Sequence, residues 1–409
     1  MKLKKLSLFN TKREFFLFIL ACGFILTYSL LIEYNNYKNL TKFNSNIITA
    51  TILKQYTKTK TTKKGKIKTY QILKLKADKG FVFYTSKSSK FPHAKGAKIK
   101  LEIWAGEISF YQYMSSFFTF SKIIHIYKTP SLKQKLNTLI SICHKDKNAT
   151  QIYQALYTAT PLDKGLQNRF SHLGISHLIA ISGFHLGVLA TLLFFIFKTP
   201  YTFLQNRYFP YRSYKLDSFV AISTILLLYL LFLDSPASLL RAFVMLVIGF
   251  VLYERGFKIL SMQTLFLTAI LILSFFPRLF FSLGFWLSIG GVYYIYLFLL
   301  YFKNMGKFWQ FILLPIWVYL LMLPHSIFIF KNFSLYHPLS IIWSIGFTLF
   351  YPLSIFLHII GEGNILDPYL NWLINLKPIP INLHISWHVE VVFILLSIGG
   401  IFLIKEDDT

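Results

Sequence analysis

The chain has 409 residues, of which 55% are hydrophobic and only 14% are charged, and its formal net charge is +27 at pH 7. Several apolar runs of about twenty residues exclude an ordinary soluble domain and indicate a protein with several membrane spans. The two cysteines, Cys22 and Cys143, lack metal-ligand spacing. Because Cys22 falls within the first apolar run, a disulfide between them is not expected.

The first predicted element is a basic segment followed by an apolar run. Five lysine and arginine residues lie within residues 1–13, directly before the run at residues 15–32. No small-x-small cleavage site follows before Glu33, which favours a retained span over a cleaved signal peptide. The positive-inside rule places the N-terminus in the cytoplasm and residue 34 outside. We predict that residues 1–40 form a cytoplasmic segment and the first transmembrane helix.

Residues 41–113 are predicted to form a small basic β-domain. Between residues 41 and 100 there are sixteen lysines and one acidic residue, Asp78. In segment 97–104 apolar side chains alternate with charged ones, which is the period of a half-buried strand. Turn-forming residues at 61–65 and 78–80 separate stretches of strand formers. About four or five short strands at this spacing are enough for a small barrel.

The next segment, residues 114–172, mixes polar and apolar side chains. It begins within a stretch rich in Phe and Tyr, residues 108–127, whose lysine and histidine side chains indicate a location at the membrane interface rather than across it. We predict an amphipathic, interfacial helical segment here.

The stretch 174–187 opens the next apolar run and carries polar side chains that lipid normally excludes. An unpaired polar group in hydrocarbon costs roughly several kcal/mol, so these residues are expected to face a protein interior or a water-filled cavity. On a continuous helix Ser182 lies about 60° from His185, and His177 lies about 80° from it, so one sector is polar. A G-x-x-x-G pair beside them lets a neighbouring helix pack closely. A packing seam with incidental histidines, a transport path and a catalytic site all remain open.

From residue 175 onward the apolar runs follow closely. The runs are residues 175–197, 217–234, 236–254, 259–276, 279–302, 308–330, 336–359 and 389–404. With the first run they predict about nine spans. The loops predicted to be inside carry eight lysine and arginine residues and those outside carry two, which supports the orientation up to residue 359. We treat 173–404 as one transmembrane domain and 405–409 as a tail whose side is left open.

Three groups of residues in this domain resemble the ComEC family of competence proteins. Residues 177–186 read H-L-I-A-I-S-G-F-H-L, close to the family's H-L-L-A-I-S-G-L-H-V. Residues 238–245 match S-x-x-R-A-x-x-M, and residues 277–288 resemble P…GFQLSF with Trp286 in place of the glutamine. Where ComEC proteins often show a Leu-Gly-Asp-Arg-like element, this chain has Thr-Ala-Thr-Pro-Leu-Asp at 158–163.

The resemblance implies a multi-pass channel for transforming DNA in the bacterial cytoplasmic (inner) membrane. The expected fold is mainly α, a polytopic helical membrane protein with an extracytoplasmic OB-like β-barrel domain. Many ComEC proteins end in a metallo-β-lactamase-like domain with H-x-H-x-D-H, a motif that this sequence lacks, so we expect a separate nuclease. Single-stranded DNA, membrane lipids and a periplasmic DNA-binding competence protein are expected partners. The sequence also lacks G-x-x-x-x-G-K-[ST], so a cytoplasmic helicase or ATPase motor is expected as well.

Two sets of residues are predicted to contact DNA. In OB folds aromatic side chains stack on bases while basic side chains follow the backbone. The predicted DNA-binding residues of the β-domain are Lys63, Lys64, Lys66, Lys68, Phe83, Tyr84, Lys98 and Lys100. The predicted channel-lining residues are His177, Ser182, Gly183, His185, Ser238, Arg241 and Ser288. Two alternatives stay open, namely a lysine surface that is inert or attracted to anionic head groups, and an Arg241 that pairs with Asp234 or a head group.

Other chemistry is less well supported by the sequence. Serine beside histidine is typical of intramembrane serine hydrolases, but serine and glycine are also common in helix packing. His384, His388 and Glu390 could ligate a metal, yet they lack the H-E-x-x-H order and suit an interfacial belt before the last span. We therefore predict no catalytic residues, metal or cofactor. The alternative function is a lipid or polysaccharide transporter or processing enzyme with a basic domain that binds head groups.

Overall fold

The computed structural model describes residues 11–61, 67–92, 94–127, 132–256 and 261–400. It is mainly helical and contains a long N-terminal helix, a β-domain, a group of short helices and a set of apolar helices. Three predicted DNA-binding lysines, Lys63, Lys64 and Lys66, lie outside the described residues, as does the tail at 405–409.

The first helix, α1 (Lys12–Thr41), has 30 residues and extends well beyond the predicted apolar run. It begins after Thr11, whose hydroxyl accepts a hydrogen bond from the Glu14 N–H, as an N-cap residue does. One face of its C-terminal turns packs on the β-domain, where Leu40 is buried and Tyr37 contacts the core. The membrane-spanning helix and the β-domain are therefore continuous.

Six strands and one short helix form the β-domain. The elements are β1 (Asn46–Thr61), β2 (Ile67–Ala77), β3 (Val82–Ser88), β4 (Lys98–Ile103), α2 (Phe110–Met114), β5 (Phe117–Phe118) and β6 (Ser121–Ile126). The sheet order is β5-β3-β2-β1-β4-β6, and all neighbours are antiparallel except the β3–β5 pair. The predicted alternation in β4 is confirmed, since Ile99, Leu101 and Ile103 are buried. The turn predicted at 78–80 is also present.

The sheet continues past residue 113 and curls on itself. Its two edge strands, β5 and β6, stand at opposite ends of the order but are separated only by Thr119 and Phe120. A flat six-stranded sheet is about 24 Å wide, whereas three residue steps reach at most ~11 Å, so the edges must approach each other. The hydroxyl of Ser121 in β6 lies 2.9 Å from that of Thr85 in β3, the strand that pairs with β5. No ladder pairs β5 with β6 in the part of the chain that is described, so this is a small curled sheet without a closed barrel.

Four short helices connect the β-domain to the apolar helices. They are α3 (Leu132–Cys143), α4 (Lys147–Thr158), α5 (Lys164–His172) and α6 (Ser176–Ile179). In α4 the buried residues Ala149, Ile152, Tyr153 and Leu156 recur at helical spacing and form one apolar face. That face packs in a core shared with the C-terminal third of the chain.

Nine further helices and two short strands complete the described chain. They are α7 (Gly183–Tyr208), α8 (Tyr214–Phe232), α9 (Ala237–Glu254), α10 (Met262–Phe275), α11 (Leu283–Tyr301), α12 (Lys307–Phe330), β7 (Phe333–Ser334), α13 (Ser340–Ile359), α14 (Asp367–Asn375), β8 (Pro380–Ile381) and α15 (Trp387–Gly399). Each of the nine predicted apolar runs overlaps an α-helix. Among the described residues, six helices are long and apolar enough to cross a membrane, and two more apolar helices are shorter.

Helix α13 lies along the short helices over its whole length. Before its N-terminus, the Ser334 hydroxyl donates a hydrogen bond to the carbonyl of His172, at the end of α5. At its C-terminal end, His358 Nε2 lies 3.0 Å from Nε2 of His144, which follows α3. In between, Phe347 and Tyr351 belong to the core that contains α4. This packing brings α13 against the start of α7, where the predicted site residues lie.

Candidate functional site

The apolar run that starts at residue 175 is a broken helix rather than a continuous one. Helix α6 ends at Ile179, and α7 begins at Gly183 after an extended Ser182 with φ −130° and ψ 176°. The Ser182 N–H donates to Nδ1 of His185 at 3.1 Å, and the Ser182 hydroxyl lies 3.1 Å from the same nitrogen. The prediction of one polar sector on a single helix is therefore wrong, because His177 belongs to a different helix from His185.

The two histidines of the motif have different surroundings. His185 is 0% exposed, its ring meets Tyr351 edge-on at 4.6 Å between centroids, and its Nε2 has no hydrogen-bond partner among the described residues. The ring of His177 is exposed, and its Nε2 lies 3.4 Å from the hydroxyl of Ser344. His185 is thus part of the protein interior at the break, whereas His177 lies on its exposed side.

The first turn of α7 packs backbone-close against α9. A Cβ atom built on Gly183 would lie 2.9 Å from Cβ of Ala242 and 3.6 Å from Nη2 of Arg241. The Ser238 hydroxyl donates to the carbonyl of Ile181 at 2.9 Å and fixes α9 to the break. The other glycine of the predicted pair, Gly187, has nothing within 4 Å of such a Cβ, so only Gly183 is required for close packing.

Arg241 is buried beside this break without a carboxylate partner in the described chain. It is 6% exposed, its Nη1 donates to the Met245 sulfur at 3.3 Å, and its Nε has no partner there. Asp234, the alternative partner, instead pairs with Lys133 at 3.2 Å and accepts from Lys76 Nζ through its carbonyl at 2.9 Å. An arginine costs roughly 2.5–3.5 kcal/mol at the centre of a span and less about one turn from its end, where Arg241 lies, but a buried one without a counter-charge remains unfavourable. Ser288, the last predicted channel-lining residue, is half-buried on α11. In the described part of the chain, no hydrogen bond or ion pair joins it to the residues of the break.

On the β-domain, lysines and tyrosines form one surface that also includes a residue of α5. Lys54 is paired with Lys74 across β1 and β2, and Lys74 faces Tyr84 across β2 and β3. Lys74 Nζ lies 5.6 Å from the ring centroid of Tyr84, and Lys164 Nζ lies 3.9 Å from that of Tyr56. We call these five residues the lysine–tyrosine face. Burial lowers the pKa of Lys54, and the charges of Lys74 and Lys164 lower it further.

The other predicted DNA-binding residues are only partly suited to that role. Phe83 is 0% exposed and stacks on Phe117 in the core, so the prediction that its ring stacks on bases is wrong. Lys68 and Lys100 are exposed. Lys98 is also exposed, but its Nζ is 2.9 Å from a carboxylate oxygen of Asp78.

The comparison with known protein families decides the family. The sequence model of the Competence protein family matches residues 159–398, which is more than half of the chain. The chain belongs to this competence family. No curated protein sequence and no solved structure gives a significant match. The matched segment begins just after α4 and contains the break, Arg241 and the apolar helices that follow.

A polar cluster that the sequence did not reveal joins the short helices before this segment to its C-terminal part. His144 Nδ1 lies 2.9 Å from one carboxylate oxygen of Asp367, and its Nε2 faces Nε2 of His358 at 3.0 Å. The Tyr157 hydroxyl lies 3.3 Å from His358 Nδ1 and donates to the Ser354 hydroxyl at 2.8 Å. His144 and His358 are 214 residues apart, so no local pattern could have joined them.

A second polar chain crosses the apolar helices of the competence domain. His325 Nδ1 contacts Glu390, its Nε2 lies 2.8 Å from the Tyr294 hydroxyl, and that hydroxyl lies 3.0 Å from the Ser397 hydroxyl. Glu390 is 6% exposed. Glu390, which on sequence grounds could ligate a metal with His384 and His388, contacts His325 instead. Within the described ranges, no group of three His, Cys, Asp or Glu residues is placed to hold a metal ion.

An ion pair joins α1 to the competence domain. Arg278, between α10 and α11, donates two hydrogen bonds of 2.7 and 2.6 Å to the carboxylate of Glu33 at the end of the predicted span. The Tyr113 hydroxyl donates to the same carboxylate at 3.3 Å, and the Arg278 guanidinium lies 4.5 Å from the Tyr113 ring centroid. A bidentate arginine pair of this kind fixes orientation as well as distance. The β-domain, α1 and the family domain thus meet at one point.

Proposed function

We propose that this protein is the channel that passes single-stranded transforming DNA across the bacterial cytoplasmic membrane during natural competence. The family match supports a role in competence, and the apolar helices support a membrane protein. The observation that carries the proposal is the lysine–tyrosine face. It combines cations and aromatic rings on one surface and is completed by Lys164, which belongs to the segment leading into the membrane helices.

The chemistry of this face suits a single strand of nucleic acid. Lysine ammonium groups neutralise backbone phosphates without reading the sequence, and base stacking on aromatic rings contributes about 1–3 kcal/mol per base. Tyr56 and Tyr84 are half-buried, so each keeps part of its ring accessible while the sheet holds it in place. The curled sheet around them supports an OB-like domain, since its two edges come together as in a small barrel.

The orientation follows from the charge distribution. The basic N-terminus precedes α1, so we propose that it lies in the cytoplasm and that the β-domain lies on the extracytoplasmic side. A strand bound at the face would then pass from Lys164 along α5 to the break between α6 and α7. The protein is proposed to be a conduit rather than an enzyme. A cytoplasmic motor, a periplasmic DNA-binding protein and a separate nuclease would act with it.

A deletion strain tests this function. In the source organism, loss of the gene should abolish transformation, and labelled DNA should still reach the cell envelope but fail to appear in the cytoplasm. Envelope lipids and polysaccharides should remain normal, and the intact gene on a plasmid should restore transformation. An unchanged transformation frequency would refute the channel. An altered lipid or polysaccharide profile with normal transformation would instead indicate the transporter or processing enzyme.

A further inference from the structure

Arg241 carries a charge that its surroundings do not balance. Its side chain is more than nine-tenths buried, and in the described part of the chain it meets no carboxylate. Its Nη1 donates to the Met245 sulfur, its Nη2 would lie 3.6 Å from a Cβ atom built on Gly183, and Tyr296 is close enough to interact with its charge. A buried charge without a counter-charge is strongly unfavourable, so an anion at this position would relieve a cost that the protein alone does not offset.

The start of α7 adds positive potential at the same place. The N-terminus of an α-helix carries about half a positive elementary charge, and its first N–H groups have no partner within the helix. Helix α7 has 26 residues, and Gly183 at its first position lets Arg241 come within van der Waals distance of that turn. His185 does not neutralise the turn, because its Nδ1 accepts from the Ser182 N–H and its ring carries no negative charge.

The chain beside the break is exposed. Ser176, His177 and Ala180 are exposed, and Phe184 in the first turn of α7 is 39% exposed. These exposed side chains adjoin the first turn of α7, and Gly183 brings that turn close to the guanidinium. Helix N-termini and arginine side chains are the two groups that proteins use most directly to hold phosphate oxygens.

We propose that Arg241 and the first turn of α7 form a binding site for a phosphodiester monoanion inside the membrane domain. The proposal rests on the proposed function in one respect: a transported strand offers one phosphodiester after another to the site. A phospholipid head group offers the same chemistry. A single arginine and one helix turn hold one phosphate at a time, so a strand can step past them.

Ligand-dependent stability of the full-length protein tests the site. In a phosphate-free detergent, dimethyl phosphate should raise the melting temperature of the wild type progressively with its concentration. Arg241→Met should remove that part of the rise, whereas Arg255→Gln, an exposed arginine at the end of the same helix, should leave it unchanged. Without ligand, Arg241→Met should melt at a temperature equal to or above that of the wild type, which also verifies folding. An equal rise in Arg241→Met would overturn the proposal.

Photo-crosslinking identifies the source of the phosphodiester and remains informative if Arg241→Met does not fold. A photoreactive phenylalanine derivative at position 184 should form adducts with a labelled oligonucleotide in reconstituted protein, and Arg241→Lys, which lacks the planar fork, should lower their yield several-fold. Adducts with phospholipid alone, equally sensitive to Arg241, would assign the site to head groups. Adducts insensitive to Arg241 would overturn it. Transformation of the deletion strain tests the proposed function separately, so either idea can fail alone.

Discussion

Arg241 and Glu390 are both buried among apolar helices, but their charges are balanced differently. Glu390 contacts His325, which is held on its other side by Tyr294, so the carboxylate has a nearby donor. Arg241 has only a sulfur acceptor within the described residues. A paired buried carboxylate is consistent with a structural role, whereas an unpaired buried cation is left for a ligand to balance.

His325 and Glu390 should stabilise the folded protein as a coupled pair, so that losing one of them costs more than losing both. His325→Leu leaves a buried carboxylate without its donor, which typically costs about 3–5 kcal/mol. The double variant His325→Leu/Glu390→Leu removes both polar groups and should be more stable than that single variant. Thermal unfolding in detergent measures both, with the exposed His384→Leu as control. If the double variant loses as much stability as the sum of the two single variants, the residues are not coupled.

The β-domain illustrates what residue patterns can and cannot predict. The strict alternation around Ile99 identified the buried face of its strand, because lysines occupied the other face. In Phe81–Thr85 both faces carry large side chains, so nothing in the sequence decided that Phe83 is buried while Tyr84 reaches the surface. Lys164, which completes the lysine–tyrosine face, belongs to a different segment and could be placed there only by the fold.

At the scale of elements, the broken helix was hidden by its composition. The run from residue 175 is apolar enough to be predicted as one span, in which Ser182 and Gly183 are predicted to line a channel and Gly183 and Gly187 to form a packing pair. The structure uses Ser182 and Gly183 as a helix start, with Ser182 as the N-cap residue. Serine favours the N-cap because its hydroxyl can replace a missing backbone partner. The break therefore depends on backbone geometry that hydropathy does not report.

Gly183 should tolerate a methyl group far less well than Gly187. In Gly183→Ala the new Cβ would lie 2.9 Å from Cβ of Ala242, so α7 and α9 must separate, at a cost of roughly 1–3 kcal/mol. Gly187→Ala meets nothing and should gain up to about 1 kcal/mol of helix propensity. The melting temperature and the transformation frequency should both fall for Gly183→Ala but not for Gly187→Ala. Adding Ala242→Gly should restore Gly183→Ala; if it does not, the contact with α9 is not the cause.

At the scale of the whole molecule, several contacts among the described residues hold the β-domain against the helices. Besides the Glu33–Arg278 pair, Lys76 donates to the carbonyl of Asp234, and Lys95 donates to the carbonyl of Pro161. Charge counts predicted a basic domain next to a membrane domain but gave no indication of how they meet, since these partners are between 66 and 245 residues apart. The burial of Lys95 against the short helices also lowers its pKa, although Asp163 raises it in part.

The Glu33–Arg278 pair should determine whether the two parts stay docked. Arg278→Glu places two carboxylates together and should undock the β-domain, which increases proteolysis near residue 42 and lowers transformation. The exchange Glu33→Arg/Arg278→Glu should recover much of both. Lys98→Glu, which breaks the exposed pair with Asp78, serves as control and should cost no more than about 1 kcal/mol. If Arg278→Glu and the exchanged variant show the same proteolysis and the same transformation frequency, the Glu33–Arg278 pair does not hold the β-domain in place.

The continuity of α1 has a mechanical consequence. A helix of 30 residues is about 45 Å long, whereas the hydrocarbon layer is about 30 Å thick, so ~15 Å of one stiff rod stands above the lipid inside the β-domain. When a rod of this length tilts by ~10°, its far end moves sideways by ~8 Å. Spans tilt to match the thickness of the bilayer. A thinner or thicker membrane therefore acts on the β-domain as a lever and changes the angle at which it presents its surface to the helices below.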